Sequence, residues 1–227
     1  MSNLIKICGL RKLDEARAAV EAGATHIGFV FFPKSPRNIS VDEAATIMRD
    51  MGAQVRSVAL LVEPELDFLQ KLVTTLAPDV LQFHGREQAA WLGDIKDKFG
   101  TDCEIWKALS IASVDDLARE DDLAGIVDRV LFDAPPPKDA SYPGGHGVKF
   151  DWSILRRYRG RTPWVLAGGL TPENVAEAIS QASAISRFCG VDVSSGVEQE
   201  RGVKDLKKIR QFVKAANEAF SVAGART

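Results

Sequence analysis

The sequence predicts a single (β/α)8 barrel, the TIM-barrel class, and three observations predict it. Eight short runs rich in Val, Ile, Leu and Phe recur along the 227 residues. Stretches of helical period separate most of them. The runs alternate poorly between apolar and polar, as strands covered on both faces do in a parallel sheet. Eight strand–helix units in a chain of this length favour closure into a barrel. An open doubly wound sheet is the runner-up. No Pro/Ser-rich linker divides the chain, so residues 1–227 read as one domain.

The expected strands are LIKIC (4–8), HIGFVFF (26–32), SVALLV (57–62), VLQFH (80–84), EIWKAL (104–109), RVLFDA (129–134), WVLA (164–167) and FCGVDV (188–193). Leu13 to Ala22 reads as the first helix. Ser40 and Glu43 form a capping box for the second, since each side chain can satisfy a backbone N–H of the first turn. Leu66–Leu76 and Glu87–Phe99 follow strands three and four. Ser113 with Asp116 opens a fifth helix, and Asp151 to Tyr158 gives a short one. Thr171 before Pro172 reads as a cap with proline at the first helical position. Leu206, Ile209, Phe212, Val213, Ala216 and Phe220 form the apolar stripe of the last helix. The tail after about residue 220, SVAGART, has little to bury and is expected to fray.

Composition excludes several classes. The chain is 45% hydrophobic and 26% charged with a formal net charge of −2, which gives no global argument for nucleic acid or an anionic membrane. No apolar run approaches a bilayer span, and the opening residues lack the pattern of a secretory signal. Cys8, Cys103 and Cys189 are an odd count with no CxxC pair, so reduced thiols in the cytoplasm are expected rather than a disulfide framework. Nothing resembles a close ligand pair for a metal, and the Rossmann and P-loop signatures are absent.

In a barrel of this class reactive residues fall at the C-terminal ends of the strands. Cys8, His84, Asp133 and Asp192 all fall there. The bland reading of each is packing for a cysteine and turn formation for an aspartate; Cys189 reads as packing. Gly168 and Gly169 follow strand seven, and Ser194, Ser195 and Gly196 follow strand eight. Loops at those two places commonly build a phosphate site from backbone N–H groups. A turn explains either loop alone; together they point to a phosphorylated small molecule. FFPKSPRNIS offers Lys34 and Arg37 in a proline-held loop, read either as a solvated basic loop or as a lid or clamp. Arg37 suits a carboxylate because of its planar fork. The long polar stretch 135–150 cannot continue helix or strand and reads as a functional loop.

Together the blocks KICG (6–9), GFVF with PKSPRNIS (28–40), QFHG (82–85), FD (132–133), GGHG with FDW (144–152), LAGGLTPENV (166–175) and DVSSGVE with GVKD (192–205) resemble the phosphoribosylanthranilate isomerase family almost end to end. The resemblance implies a (β/α)8 barrel of tryptophan biosynthesis. Its reaction is the Amadori rearrangement of N-(5-phosphoribosyl)anthranilate, with no cofactor and no metal. By motif, Cys8 would be the general base and Asp133 the general acid. Arg37 would meet the anthranilate carboxylate, and Gly168, Gly169, Ser194, Ser195 and Gly196 would line the phosphate site. His146 and Ala134 depart from the commonest pattern. A monomer is expected, with a dimer as the alternative.

That chemistry sets requirements. Opening the furanose ring needs a proton on its oxygen, so Asp133 must keep its proton far above its reference of about 3.9. Forming the enolamine needs removal of the proton on C2′, so Cys8 must supply thiolate against a reference of about 8.5. Lys6 or Arg37 could lower the thiol. Three alternatives stand: a lyase that closes the indole ring, which would need a lysine-rich site such as Lys107 could serve; a histidine-pathway isomerase, which would need an aspartate in place of Cys8; and a phosphosugar-binding barrel without catalysis. Cys103 should lie on the far face of the barrel and be dispensable.

Overall fold

In the computed structural model, which describes residues 3–100, 103–137, 139–140, 142–147 and 149–224, eight strands close a parallel barrel. They are β1 (Leu4–Cys8), β2 (His26–Phe31), β3 (Arg56–Leu61), β4 (Val80–Phe83), β5 (Glu104–Ser110), β6 (Arg129–Asp133), β7 (Trp164–Leu166) and β8 (Phe188–Val193). They pair in sequence order, and β8 returns to β1 with Lys6 opposite Asp192. The closed barrel decides against the open sheet. Every expected strand is present, with ends differing by a residue.

Helices α1 (Leu13–Glu21), α2 (Val41–Met51), α3 (Leu66–Leu76), α4 (Ala89–Phe99), α5 (Val175–Ala182) and α6 (Leu206–Gly224) pack around it. The Ser40–Glu43 capping box is formed, with Glu43 N–H donating to Ser40 Oγ at 3.2 Å and Ser40 N–H to Glu43 Oε2 at 3.0 Å. The stripe on α6 is buried at Ile209, Phe212, Val213, Ala216 and Phe220.

Four expectations change in detail. Units five and six carry 3₁₀ turns, Val114–Glu120 and Trp152–Arg157, instead of α-helices. The first buries only Leu117 and Glu120, too little to pay for a longer helix. Thr171 accepts from Glu173 N–H at 3.3 Å but does not start α5. Thr171 N–H donates to Asn174 Oδ1 at 2.8 Å and Asn174 Nδ2 to Gly169 O at 2.9 Å, so Asn174 ties the loop back and α5 begins at Val175. Finally, α6 runs on to Gly224, past the point where fraying is expected, while residues 225–227 lie outside the described set. The sequence reading also had no place for a hairpin after β8, β9 (Glu198–Glu200) with β10 (Val203–Lys204).

Strand side chains alternate between barrel interior and helix layer. At the bottom of the interior Leu4, Val58, Val80, Trp106, Leu131 and Val165 form a dry plug. One step up, Lys6 and Asp192 are buried together. The next step carries Cys8, His84 and Asp133 to the C-terminal mouth, above which a cavity opens.

Candidate active site

Cys8, Arg37, His84, Asp133, Asp192 and Ser194 line one cavity at the C-terminal mouth, roofed by Tyr142 to Gly145 of the long loop. A second cavity adjoins it, lined by Gly168, Gly169, Ser194, Ser195 and the loop from Gly144 to Gly147. Asp133 borders both. The strand-end rule thus brings the expected residues together, with one exception. Gly196 lies outside the lining of both cavities and instead packs against Leu170, so closely that a Cβ there would overlap the Leu170 carbonyl. It lets the loop after β8 press against the loop after β7. Gly168 and Gly169 have φ of +79° and +66°, a left-handed pair that turns the backbone along the second cavity and that side chains resist.

Asp133 has no lysine or arginine partner in the ion pairs among described residues; only His84 approaches it, Nε2 at 3.5 Å from Oδ2. Burial raises its pKa to about 7; the Ala134 N–H at 2.8 Å from Oδ1 works against this, the Asp192 charge adds to it, and the Lys6 charge opposes it without forming an ion pair. His84 supplies no countercharge. Burial first, then Lys107 and Lys6, lower its pKa to about 3, so the ring is neutral. Gly144 closes over the pair; a side chain there would collide with the His84 ring.

Cys8 departs from the expected depressed thiol. Its pKa is raised, because burial outweighs the neighbouring Lys6 ammonium, with Asp192 adding to the rise. Lys6 is close to the thiol but shared: its Nζ donates to Asp192 Oδ1 at 2.8 Å. The resting site therefore holds a neutral thiol, drawn toward thiolate chiefly by Lys6 and more weakly by Lys204.

Arg37 is buried, while Lys34 of the same loop is exposed. The fork of Arg37 is already engaged from within the chain. Nε donates to Glu198 Oε1 at 2.7 Å, Nη2 to Glu198 Oε2 at 2.9 Å, and Nη2 to Gly145 O at 2.9 Å. Glu198 also accepts from Lys204 Nζ at 2.9 Å, and Lys204 donates to Ser194 O at 2.9 Å. Ser194 Oγ donates to Cys8 O at 3.1 Å. Sequence reasoning passed over Glu198 and Lys204 although both lie in quoted motifs. The signal was the GVE…GVK spacing, which sets the two charges on a hairpin.

Lys107 points away from the cavity. Its Nζ donates to Gly85 O at 2.9 Å and Glu87 Oε2 at 3.0 Å, pinning the loop that follows β4. A lysine so engaged does not serve a lyase site. Cys103 lies at the opposite, N-terminal face, as expected, beside Asp79, Lys96 and Asp128. Cys189 is part-buried against the dry plug, as packing requires.

Fold and cavities define a class: a (β/α)8 barrel with a small-molecule site at the C-terminal mouth. A family profile described as N-(5'-phosphoribosyl)anthranilate (PRA) isomerase matches residues 5–215. The N-(5'-phosphoribosyl)anthranilate isomerase of Rhodopseudomonas palustris (strain HaA2) is 46% identical over 215 residues, covering 95% of this chain and 96% of the relative. Monomers generated from the dimeric phosphoribosylanthranilate isomerase of Thermotoga maritima align with TM-score 0.78 and 33% identity, over 96% of this chain and 100% of that one. A phosphoribosylanthranilate isomerase in complex with reduced 1-(o-carboxyphenylamino)-1-deoxyribulose 5-phosphate aligns with TM-score 0.79 and 32% identity, over 96% and 100%. The chain belongs to the phosphoribosylanthranilate isomerase family.

Proposed function

We propose that this isomerase carries out the Amadori rearrangement of N-(5-phosphoribosyl)anthranilate with Cys8 as base and Asp133 as acid. The observation that carries the reading is that one cavity holds both: a buried thiol beside Lys6, and a carboxyl whose pKa of about 7 reflects burial without a lysine or arginine partner. Asp133 gives its proton to the ring oxygen as the C1′–O bond breaks, leaving an iminium at C1′. The Cys8 thiolate then takes the proton from C2′. The enolamine that forms tautomerises to the ketose. Lys6 holds the thiolate while it exists, and the neutral His84 leaves Asp133 its proton. The reaction needs no cofactor.

The working form carries its proton on Asp133 and not on Cys8, the reverse of the resting order. Each unit by which burial raises Asp133 increases that form tenfold. Gly168, Gly169, Ser194 and Ser195 are read as the phosphate cradle and Arg37 as the carboxylate contact. The cavities are complete within one chain, which supports action as a monomer; sedimentation tests this against a dimer like the Thermotoga relative. The absence of a disulfide among the described residues supports a reducing, cytoplasmic compartment.

The test is the fluorescence decay of freshly made phosphoribosylanthranilate with wild type, Cys8→Ala and Asp133→Asn. Rapid decay with wild type alone is expected. Equal decay with all three would discard this acid and base.

A further inference from the structure

We infer that Glu198 is the positioning residue that spaces the two anion clamps of the substrate, and the inference rests on Arg37 being the carboxylate contact. One buried carboxylate joins both ends of the site. On one side it takes Nε and Nη2 of Arg37 in a bidentate pair, which stops the fork from rotating. Among the described residues Nη1 makes no hydrogen bond, and Arg37 lines the cavity, so that nitrogen is the donor left for an incoming carboxylate. On the other side Glu198 takes Lys204, which holds the Ser194 carbonyl of the loop along the second cavity. Ser194 in turn is bonded to the backbone of Cys8. The base therefore sits between the clamps on a common frame.

The carboxylate is held in its own right. Gly202 N–H donates to Glu198 Oε2 at 3.0 Å, and Lys208 Nζ to the Glu198 backbone carbonyl at 2.8 Å. Arg37, Lys204 and Glu198 leave one net positive charge where a substrate with a phosphate and a carboxylate would dock. Without Glu198 the two buried cations lose their shared partner, and the fork turns away from its bound orientation.

The experiment measures the Kd of the reduced product, 1-(2-carboxyphenylamino)-1-deoxyribulose 5-phosphate in reduced form, and of its analogue lacking the carboxylate. The ratio of the two reports the carboxylate clamp alone. Wild type is expected to prefer the carboxylated ligand by about 10- to 100-fold, as for a hydrogen bond to a charged group. Arg37→Ala should remove the preference. Glu198→Gln should lower it about tenfold and raise KM more than it lowers kcat, while adding Glu198→Gln to Arg37→Ala should lower the ratio no further. Glu198→Asp keeps the charge but loses one methylene of reach, and is expected to fall between; it also reads the ratio if the Gln variant does not fold. A ratio unchanged or increased in a folded Glu198 variant would overturn the inference, even with a lower Tm. A ratio unchanged in Arg37→Ala would instead overturn the carboxylate reading itself, and the inference with it.

Discussion

The two mouths of the barrel hold similar side chains in opposite arrangements. At the N-terminal mouth Glu104 faces Arg56, at 2.6 Å from Nη1, and Arg129, and it also accepts from Trp106 Nε1 at 2.7 Å. Nearby, Asp79 Oδ2 accepts from Ser57 N–H at 2.7 Å, and Asp128 pairs with Lys96 at 2.5 Å. At the C-terminal mouth Asp133 is just as firmly part of a strand end but receives one backbone N–H and a neutral histidine. The difference teaches how one fold separates stability from chemistry. Carboxylates matched to cations hold strands together, whereas a carboxyl buried without an ion-pair partner holds its proton up to about pH 7, within reach of acid chemistry.

The comparison breaks first on activity. Asp133→Asn is expected to lower kcat by about 10²–10⁴-fold, the usual worth of a general acid. Glu104→Gln should leave kcat/KM within about twofold and cost about 1–3 kcal/mol of stability, read by denaturant unfolding. Comparable kinetic losses from both would erase the distinction between the mouths.

It sharpens next on stability against pH. Asp133 has a folded pKa of about 7 against an ordinary value of 3.8. A raised folded pKa gives stability that is full below about 3.8 and is lost as pH rises through 7. Relative to wild type, Asp133→Asn should therefore gain stability between pH 4 and pH 8, by an amount on the order of a few kcal/mol. A difference between the two proteins that is flat with pH would show that Asp133 ionises as an ordinary surface carboxylate.

The pH–rate profile follows from the same pair. Below about pH 7 both Asp133 and Cys8 carry protons and the base is absent. Between about 7 and the raised thiol value the pair carries one proton, part of it in the working order. Hence kcat/KM should climb about tenfold per pH unit below 7, level off above it, and fall only in the alkaline range of the thiol. A fall beginning at pH 7 would mean that Cys8 is already thiolate at rest. The smallest effect belongs to the far face: Cys103→Ala should leave turnover unchanged and cost about 1 kcal/mol or less.

Much of this was legible in the residues. Period and run length mark each strand, because a strand buried on both faces must be apolar throughout. The strand-end rule then brings Cys8 and Asp133 together before any coordinate is known. Unit five misled because Ser113–Asp116 does form its capping box, Ser113 N–H to Asp116 Oδ2 at 2.8 Å, yet too few apolar residues follow to extend a helix. Glu198 escaped because pairing it with Arg37 needs contact across 161 residues, which no local pattern encodes. The direction of the Cys8 shift escaped for a related reason. Lys6 two residues away offered a lower pKa, but the strand that brings the cation also buries the thiol, and Asp192 from β8 shares the cation and adds its own opposing charge.

The central claim is that burial without a lysine or arginine ion-pair partner lifts the Asp133 carboxyl to a pKa of about 7. The direct measurement is the carboxyl titration of Asp133 by 13C NMR in the folded protein, assigned with Asp133→Asn. A midpoint near 7 is expected. A midpoint near 4 would contradict the account, since the form with its proton on Asp133 and a thiolate at Cys8 would then be about a thousandfold rarer on the plateau.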